Sequence, residues 1–299
     1  MLKLLNYAEK VDFTALQSVA LRDYTSFKIG GPADVLMVPK NVQQLADCIS
    51  ICRDEDIAFF ILGNGSNLLV PDDGFHGAVI STAGLLGLRR DGNKIFCGAG
   101  EKLKSLCMFA LEHSLGGLEF AYGIPGTAGG AAFMNAGAYG GEMKDVLRVC
   151  RYLTAFGEIA ELRGDELELE YRHSIFADNG GVILELELEL QPGDKAEIRA
   201  KMDDFLFRRR DKQPLEYPSA GSVFKRPPGD YAGRLVDVCG LRGYSIGGAQ
   251  VSEKHSGFIV NRGGATCSDV LELVEHIRKI VLEQMGVELE AEIKVLGVK

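Results

Sequence analysis

Between Phe120 and Gly141 the chain runs 22 residues without a charged side chain, and seven of those residues are glycine. A segment of that length could cross a bilayer, which needs roughly 20 apolar residues. Seven glycines, Pro125 and Asn135 exclude that reading, because glycine and proline both disfavour a helix interior. The stretch is a loop system with no charge to solvate it, so it must lie against protein or a ligand. Gly123, Gly126 and Gly129 permit close approach of backbone to a partner, which favours a bulky cofactor over plain packing.

A second glycine-rich turn, Leu62-Gly63-Asn64-Gly65-Ser66-Asn67, directly follows an apolar run. Such a turn points several backbone N–H groups one way and can hold phosphate oxygens. Gly63-x-Gly65 is half of a dinucleotide fingerprint, since position 68 is leucine, and no ordinary GxGxxG or Walker loop occurs. Taken alone, the turn serves equally well as a plain β connection.

Composition narrows the partners. Glycine makes up 37 of 299 residues, about 12% against a usual ~7%, so tight turns and close backbone approaches are numerous. The balance of 42 acidic and 33 basic residues, net -9, argues against a general nucleic-acid or membrane-surface binder and leaves room for a local anion site. A chain this long removes about 75% of its unfolded surface from water and needs no covalent staple. The seven cysteines are odd in number and scattered, with no Cys-x-x-Cys, and the five histidines pair neither with one another nor with cysteine. A disulfide framework and a metal site are therefore not expected. Met1 to Asn6 holds no apolar run long enough for a secretory signal, and the expected setting is reducing and cytoplasmic.

Helical periods alternate with short apolar runs, which predicts a mixed α and β fold. Asn41 with Gln44 opens a helix in capping-box spacing. Short strands are predicted at 59–62, 68–70, 78–81 and 94–97, and a largely buried helix at 102–113. Val182 to Leu190 alternates apolar residues with glutamate, the period of a strand with one wet face. Gln191-Pro192-Gly193 is the best linker, after which Asp194 and Glu197 start a helix ending in Arg208-Arg209-Arg210. On spacing alone that run is a solvated helix C-terminus complementing the dipole. A final helix is predicted from Ser268 to Met285, closed by Gly286, and a last strand over 289–296. Two regions fit, 1–192 and 193–299.

An ordered set of segments then adds more than any one of them. TSFKIGGPAD, LGNGSNLLVPDDGFHGAVI, GAGEKL, GLEFAYGIPGTAGGAAFMNAGAYGGE, YRHSIF, KQPLEYPSAGSVFKRP, AGRLVDVCGLRGYSIGGAQVSEKHSGFIVN and LEAEIKVLG run in this order from Thr25 to Gly297. Together they resemble the UDP-N-acetylenolpyruvoylglucosamine reductases. The resemblance implies an α+β protein: an FAD-binding fold of the vanillyl-alcohol-oxidase (PCMH) type over 1–192, in two subdomains, then a smaller α/β substrate-binding domain over 193–299. It implies non-covalent FAD, NADPH as co-substrate, and reduction of an enolpyruvyl UDP-sugar in peptidoglycan precursor synthesis. A monomer without membrane or nucleic-acid partners is expected. Leu190 passes almost directly to Asp194, so the chain is similar to the shorter subclass, which lacks an extra tyrosine-bearing segment. Another FAD-dependent oxidase of the same superfamily, acting on a hydroxy acid or sugar, is the alternative.

By resemblance, Gly63, Asn64, Gly65, Ser66 and Asn67 hold FAD together with Gly123, Ile124, Pro125, Gly126, Thr127, Gly129 and Gly130. Asn135, Ala136 and Gly137 line the same cleft, with Val182. Arg172, Ser222 and Glu292 are the implied catalytic residues, and Tyr139, Lys212, Arg226, Arg242 and His255 the implied substrate contacts. The chemistry is coherent. Hydride delivered to the terminal enolpyruvyl carbon pushes charge onto the adjacent carbon and the carboxylate. A cation (Arg172) and a donor (Glu292) stabilise that charge, and the Ser222 hydroxyl can protonate the carbon.

Overall fold

The computed structural model describes residues 1–297, and contacts divide it into two compact units. The first comprises 1–17, 35–64 and 77–209, and the second 18–34, 65–76 and the described residues from 210 on.

A five-stranded antiparallel sheet organises the first unit, in the order Ile159–Arg163, Leu147–Leu153, Val182–Glu189, Lys94–Gly98, Leu88–Asp91. Its central strand is the alternating segment read from the sequence. Glu185, Glu187 and Glu189 pair across the wet face with Arg89 (3.1 Å), Lys94 (2.6 Å) and Arg148 (3.1 Å). The apolar residues do not all enter one core. Ile183, Leu186 and Leu188 join a cluster with Leu103, Leu106 and Ala110 of the helix Leu103–Glu112, whereas Val182 and Leu184 join another. A register shift explains this: Arg151 pairs with Glu185 but Tyr152 pairs with Ile183, which skips Leu184. The irregularity exchanges the faces beyond it, so one strand feeds two cores.

The second of these cores packs the helices Leu2–Lys10 and Val42–Asp54 with the parallel pair of strands Phe59–Leu62 and Phe75–Ser81. Asn41 caps its helix as expected, accepting from Gln44 N–H at 2.9 Å, while Gln44 Oε1 accepts from Lys40 N–H at 2.8 Å. The short helix Ala128–Phe133, inside the charge-free stretch, buries four small residues: Ala128, Gly129, Ala131 and Ala132.

The second unit carries a three-stranded antiparallel sheet, Ser245–Ile246, Ala249–Val251 and Ile259–Asn261. Its core takes Val270, Leu273, Val274, Ile277 and Val281 from the helix Cys267–Met285, with Phe27, Leu69 and Val223. Thr266 and Asp269 form a capping box at that helix, and the Asp72 carboxylate accepts from Cys267 N–H (2.7 Å) and Ser268 N–H (3.1 Å). A carboxylate there meets both unpaired amides and the positive end of the dipole. Gly286, at φ +67°, ends the helix where the sequence places its stop. The predicted last strand shortens to Lys294–Val295, parallel to Leu68–Leu69, because 290–292 pair by single bonds with 223–225 instead.

Among the described residues no helix is long and apolar enough to cross a membrane, and no group of three or more His, Cys, Asp or Glu is placed to hold a metal ion. All seven cysteines are free thiols. Burial pushes Cys48 up to about 12 and Cys267 up to about 11, so these thiols are inert.

Candidate functional site

The turn after Leu62 is built for donation. None of the backbone N–H groups from Gly63 to Asn67 meets a protein acceptor among the described residues. Gly65 adopts φ +60°, and a Cβ on it would stand 2.2 Å from the Tyr24 carbonyl oxygen. Only glycine fits, for both conformation and space. The Ser26 N–H to Gly65 carbonyl bond (3.1 Å) fixes that half of the turn. Asn67 accepts from Lys294 N–H (3.1 Å) and donates from Nδ2 to the Glu292 carbonyl (3.1 Å). In the first unit, Asn64 Nδ2 donates to the Pro125 carbonyl at 2.9 Å, which ties this turn to the other glycine loop.

That other loop, 123–130, behaves differently. Five of its amides already have protein acceptors: Ile124 to Ala121, Gly126 to Ile124, Ala128 to Glu101, Gly129 to Ala99 and Gly130 to the Thr127 hydroxyl. The N–H groups of Gly123 and Thr127 have none among the described residues. Gly129 serves packing, since a Cβ on it would lie 2.8 Å from the Ala99 Cβ. Thr127 caps the helix Ala128–Phe133 and sits beside Gly63, where a Cβ would approach its hydroxyl to 3.0 Å.

Arg209 was not singled out by sequence reasoning, yet it stands against this loop. A Cβ on Gly123 would lie 3.1 Å from Arg209 Cδ. Burial pushes the guanidinium below its usual range, the nearby Tyr139 opposes the shift, and no carboxylate pairs with it among the described residues. A half-buried cation without a counter-ion is costly unless an anion completes the site. Its neighbours differ: Arg208 pairs with Asp204 at 2.7 Å and is exposed. The signal was spacing, because Ile198, Met202, Leu206 and Arg209 recur every three to four residues on one helix face.

Tyr139 stacks on Phe205 (centroids 4.7 Å apart, planes at 12°), and burial pushes its phenol up while Arg209 and Arg208 pull it back. With Phe205, Glu119 and Lys201 it lines a cavity of about 310 Å³, which none of the expected cofactor residues enters. Val182 is buried in a core at the start of its strand. Asn135, expected in the cofactor cleft, is fully buried, and its side chain is engaged by Glu142, the Glu170 carbonyl and Lys144 N–H, so it braces the fold and has no exposed group to offer a cofactor. Ala136 is buried too, and its N–H donates to the Ala131 carbonyl (2.8 Å). A Cβ on Gly137 would meet the Gly141 carbonyl at 2.8 Å.

Arg172 occupies the third position of a tight turn in which Glu170 and His173 exchange backbone hydrogen bonds (3.2 and 3.3 Å). Its φ is +59°, a conformation that costs a side-chain-bearing residue roughly 1–2 kcal/mol. A turn needing only to turn would carry glycine or asparagine there. Tyr171 lies beneath the guanidinium, 5.1 Å from Cζ to ring centroid.

In the second unit the structure brings Ser222 and Glu292 onto neighbouring segments. Val223 N–H donates to Gly257 on one side, and the Val223 carbonyl accepts from Glu292 N–H at 2.7 Å on the other. Glu292 is buried, and the Ser222 hydroxyl donates to the Phe224 carbonyl at 3.0 Å. The preceding Gly221, at φ +81°, faces open space. His255 Nδ1 accepts from Gly257 N–H (3.2 Å), so the neutral ring carries its proton on Nε2, and burial lowers its pKa. Arg242 forks onto Asp237 (2.7 and 2.8 Å), Arg226 lies over Tyr231 (4.2 Å), and Lys212 is exposed at its helix end.

Unengaged amides at 63–67 and the Arg209 cation, which has no carboxylate partner among the described residues, are groups suited to an anion. In agreement, residues 33–163 match the family model of an FAD binding domain. Residues 213–296 match the UDP-N-acetylenolpyruvoylglucosamine reductase, C-terminal domain. The chain is 52% identical over 279 residues to the UDP-N-acetylenolpyruvoylglucosamine reductase of Caldanaerobacter subterraneus, covering 93% of this chain and 92% of that one. It is 49% identical over 277 residues to that of Clostridium perfringens, covering 93% and 91%. The crystal structure of the Thermus caldophilus reductase superposes with a TM-score of 0.81 at 37% identity, over 95% of this chain and 98% of that one. This chain belongs to the UDP-N-acetylenolpyruvoylglucosamine reductase family, and the expected α+β fold with an FAD-binding domain stands.

Proposed function

We propose that this protein is an NADPH-dependent flavoenzyme that reduces UDP-N-acetylglucosamine enolpyruvate to UDP-N-acetylmuramate in peptidoglycan precursor synthesis. The observation that carries the reading is Ser222 and Glu292 held on hydrogen-bonded neighbouring segments, in a chain whose relatives bear that reductase name. The FAD-binding region read as 1–192 takes in the helix that follows as far as Arg209, since Ile198 and Met202 join the first unit's core, and the rest of 193–299 forms the substrate-binding domain. Cytoplasmic, monomeric action on small molecules fits the net charge of -9.

The residues present fit FAD. The amides of Gly63 to Asn67, with those of Gly123 and Thr127, offer donors to a pyrophosphate, and Arg209 offers it a charge. FAD held by these groups would supply the hydride chemistry, carrying a hydride from NADPH to the enolpyruvyl group. Arg172 and Glu292 stabilise the charge that develops at the substrate carboxylate. Glu292 suits the donor role in its protonated form, and it is buried beside the segment that carries Ser222. Ser222 supplies the proton to carbon, after its hydroxyl rotates away from the Phe224 carbonyl. Lys212 and Arg226 face the substrate pyrophosphate, and Tyr139, Arg242 and His255 complete substrate contacts, Arg242 from a guanidinium already braced by Asp237.

Ser222→Ala tests the assignment. The step that oxidises the flavin with the enolpyruvyl sugar should slow ~10²–10⁴-fold, the usual range for a general acid, while flavin reduction by NADPH stays within a few-fold. Equal slowing of both steps, or neither, removes Ser222 as proton donor.

A further inference from the structure

Arg172 sits in an unfavourable backbone conformation at φ +59°, and such a conformation persists only where the surroundings over-determine it. Two buried side chains do so here, in opposite directions. Asn135 Nδ2 donates to the Glu170 carbonyl at 2.9 Å, at the start of the turn. Ser174 Oγ donates back to the Phe133 carbonyl at 2.6 Å, from just beyond the turn. Both residues are fully buried. Asn135 is itself left-handed at φ +42°, and its remaining groups are anchored by Lys144 N–H (2.9 Å) and Glu142 (3.1 Å). Phe133 ends the helix that Thr127 caps, so the glycine loop and the arginine turn are bolted together through that helix.

We infer that Asn135 and Ser174 are positioning residues for Arg172: they lock its turn to the end of the helix Ala128–Phe133 and so fix the guanidinium relative to the cofactor loop. This rests on the proposed role of Arg172 in the sugar half-reaction. Neither residue touches substrate in this role. Asn135 acts through its side-chain amide on the Glu170 carbonyl, and Ser174 through its hydroxyl on the Phe133 carbonyl.

The test uses the FAD-loaded full chain, with Ser174→Ala as the main variant and Asn135→Asp as the second. Asn135→Asp keeps the acceptor for Lys144 N–H and the tolerance for a left-handed backbone, loses the donor to Glu170, and meets Glu142 as a carboxyl pair that must share a proton. Each variant should hold a full complement of FAD and reduce it with NADPH within about two-fold of the parent rate. Reoxidation by UDP-N-acetylglucosamine enolpyruvate should slow about ten- to a hundred-fold, the scale of loss when a stabilising group is misplaced by ~1 Å. Amide exchange over residues 170–175 of the flavin-free protein should accelerate. In an Arg172→Ala background, adding Ser174→Ala should change the sugar step less than about two-fold, because two residues acting through one group are not additive. Slowing of both half-reactions, or loss of flavin in both variants, makes the contacts merely structural and overturns the inference. A slow Arg172→Ala sugar step with unchanged rates in both positioning variants overturns it while leaving the role of Arg172 intact. An Arg172→Ala chain with an unimpaired sugar step refutes the role of Arg172, and the inference falls with it.

Discussion

The two glycine-rich loops look alike in composition and do different physical work. Among the described residues the turn 63–67 keeps all five amides clear of protein acceptors, and its Gly65 exists so that the turn can lie against the Tyr24 carbonyl. The loop 123–130 engages five amides with protein acceptors, three of them outside the loop, and its Gly129 exists so that the loop can lie against Ala99. One loop offers donors; the other offers two donors and, beside Gly123, Arg209, which no carboxylate among the described residues pairs. Glycine content alone therefore signals close approach, and only the amide accounting separates approach to a ligand from approach to protein.

The contrast breaks most visibly at Arg209. Arg209→Leu should weaken FAD binding about 30- to 5,000-fold, as loss of ~2–5 kcal/mol implies when one partner of a desolvated charge pair is removed. The flavin-free protein should melt no lower than the parent, because a half-buried cation without a partner has been removed. A variant with normal flavin affinity, measured by fluorescence titration, would leave the cation without its proposed anion.

A paired substitution sharpens the comparison. Gly129→Ala should cost roughly 1–3 kcal/mol of stability through overpacking against Ala99, and the folded fraction should keep its FAD affinity. Gly65→Ala should lower stability comparably and also weaken FAD, since it displaces the amide turn. Equal flavin affinities in the two variants would erase the distinction between the loops. A smaller effect is expected from Asn64→Ala, which removes the 2.9 Å bond to the Pro125 carbonyl and should cost about 0.5–1.5 kcal/mol, read by denaturant unfolding.

The smallest prediction concerns pH. Burial holds the His255 pKa below its ordinary 6.5, so the folded chain resists protonating it. The unfolded chain binds that proton first as pH falls, so the contribution is fully present above 6.5 and is lost as pH drops toward the depressed folded value. His255→Gln should flatten the melting temperature between pH 7 and 5. An unchanged slope would assign that acid sensitivity elsewhere.

Much of this was legible in the sequence, and the misses have physical causes. The helix Cys267–Met285 begins one residue before the predicted start because its capping box lies at Thr266 and Asp269. The alternation at 182–190 announced a strand, but no periodicity announces the skipped Leu184, since a bulge depends on the partner strand. The helix Ala128–Phe133 was hidden by glycines, which lower helix propensity yet suit a helix packed on Ala99. Arg209 disappeared into a run of three arginines whose exposed members set the reading. The left-handed Arg172 could not be read at all, because arginine is a poor predictor of a positive φ.

The central claim is that this chain passes electrons from NADPH to an enolpyruvyl UDP-sugar, and one anaerobic experiment addresses it. The purified FAD-loaded protein is bleached with one equivalent of NADPH, and UDP-N-acetylglucosamine enolpyruvate is then added without oxygen. Oxidised-flavin absorbance should return as one equivalent of UDP-N-acetylmuramate forms. Flavin that stays bleached with the sugar and recovers only when oxygen is admitted would contradict the account and identify an oxidase instead.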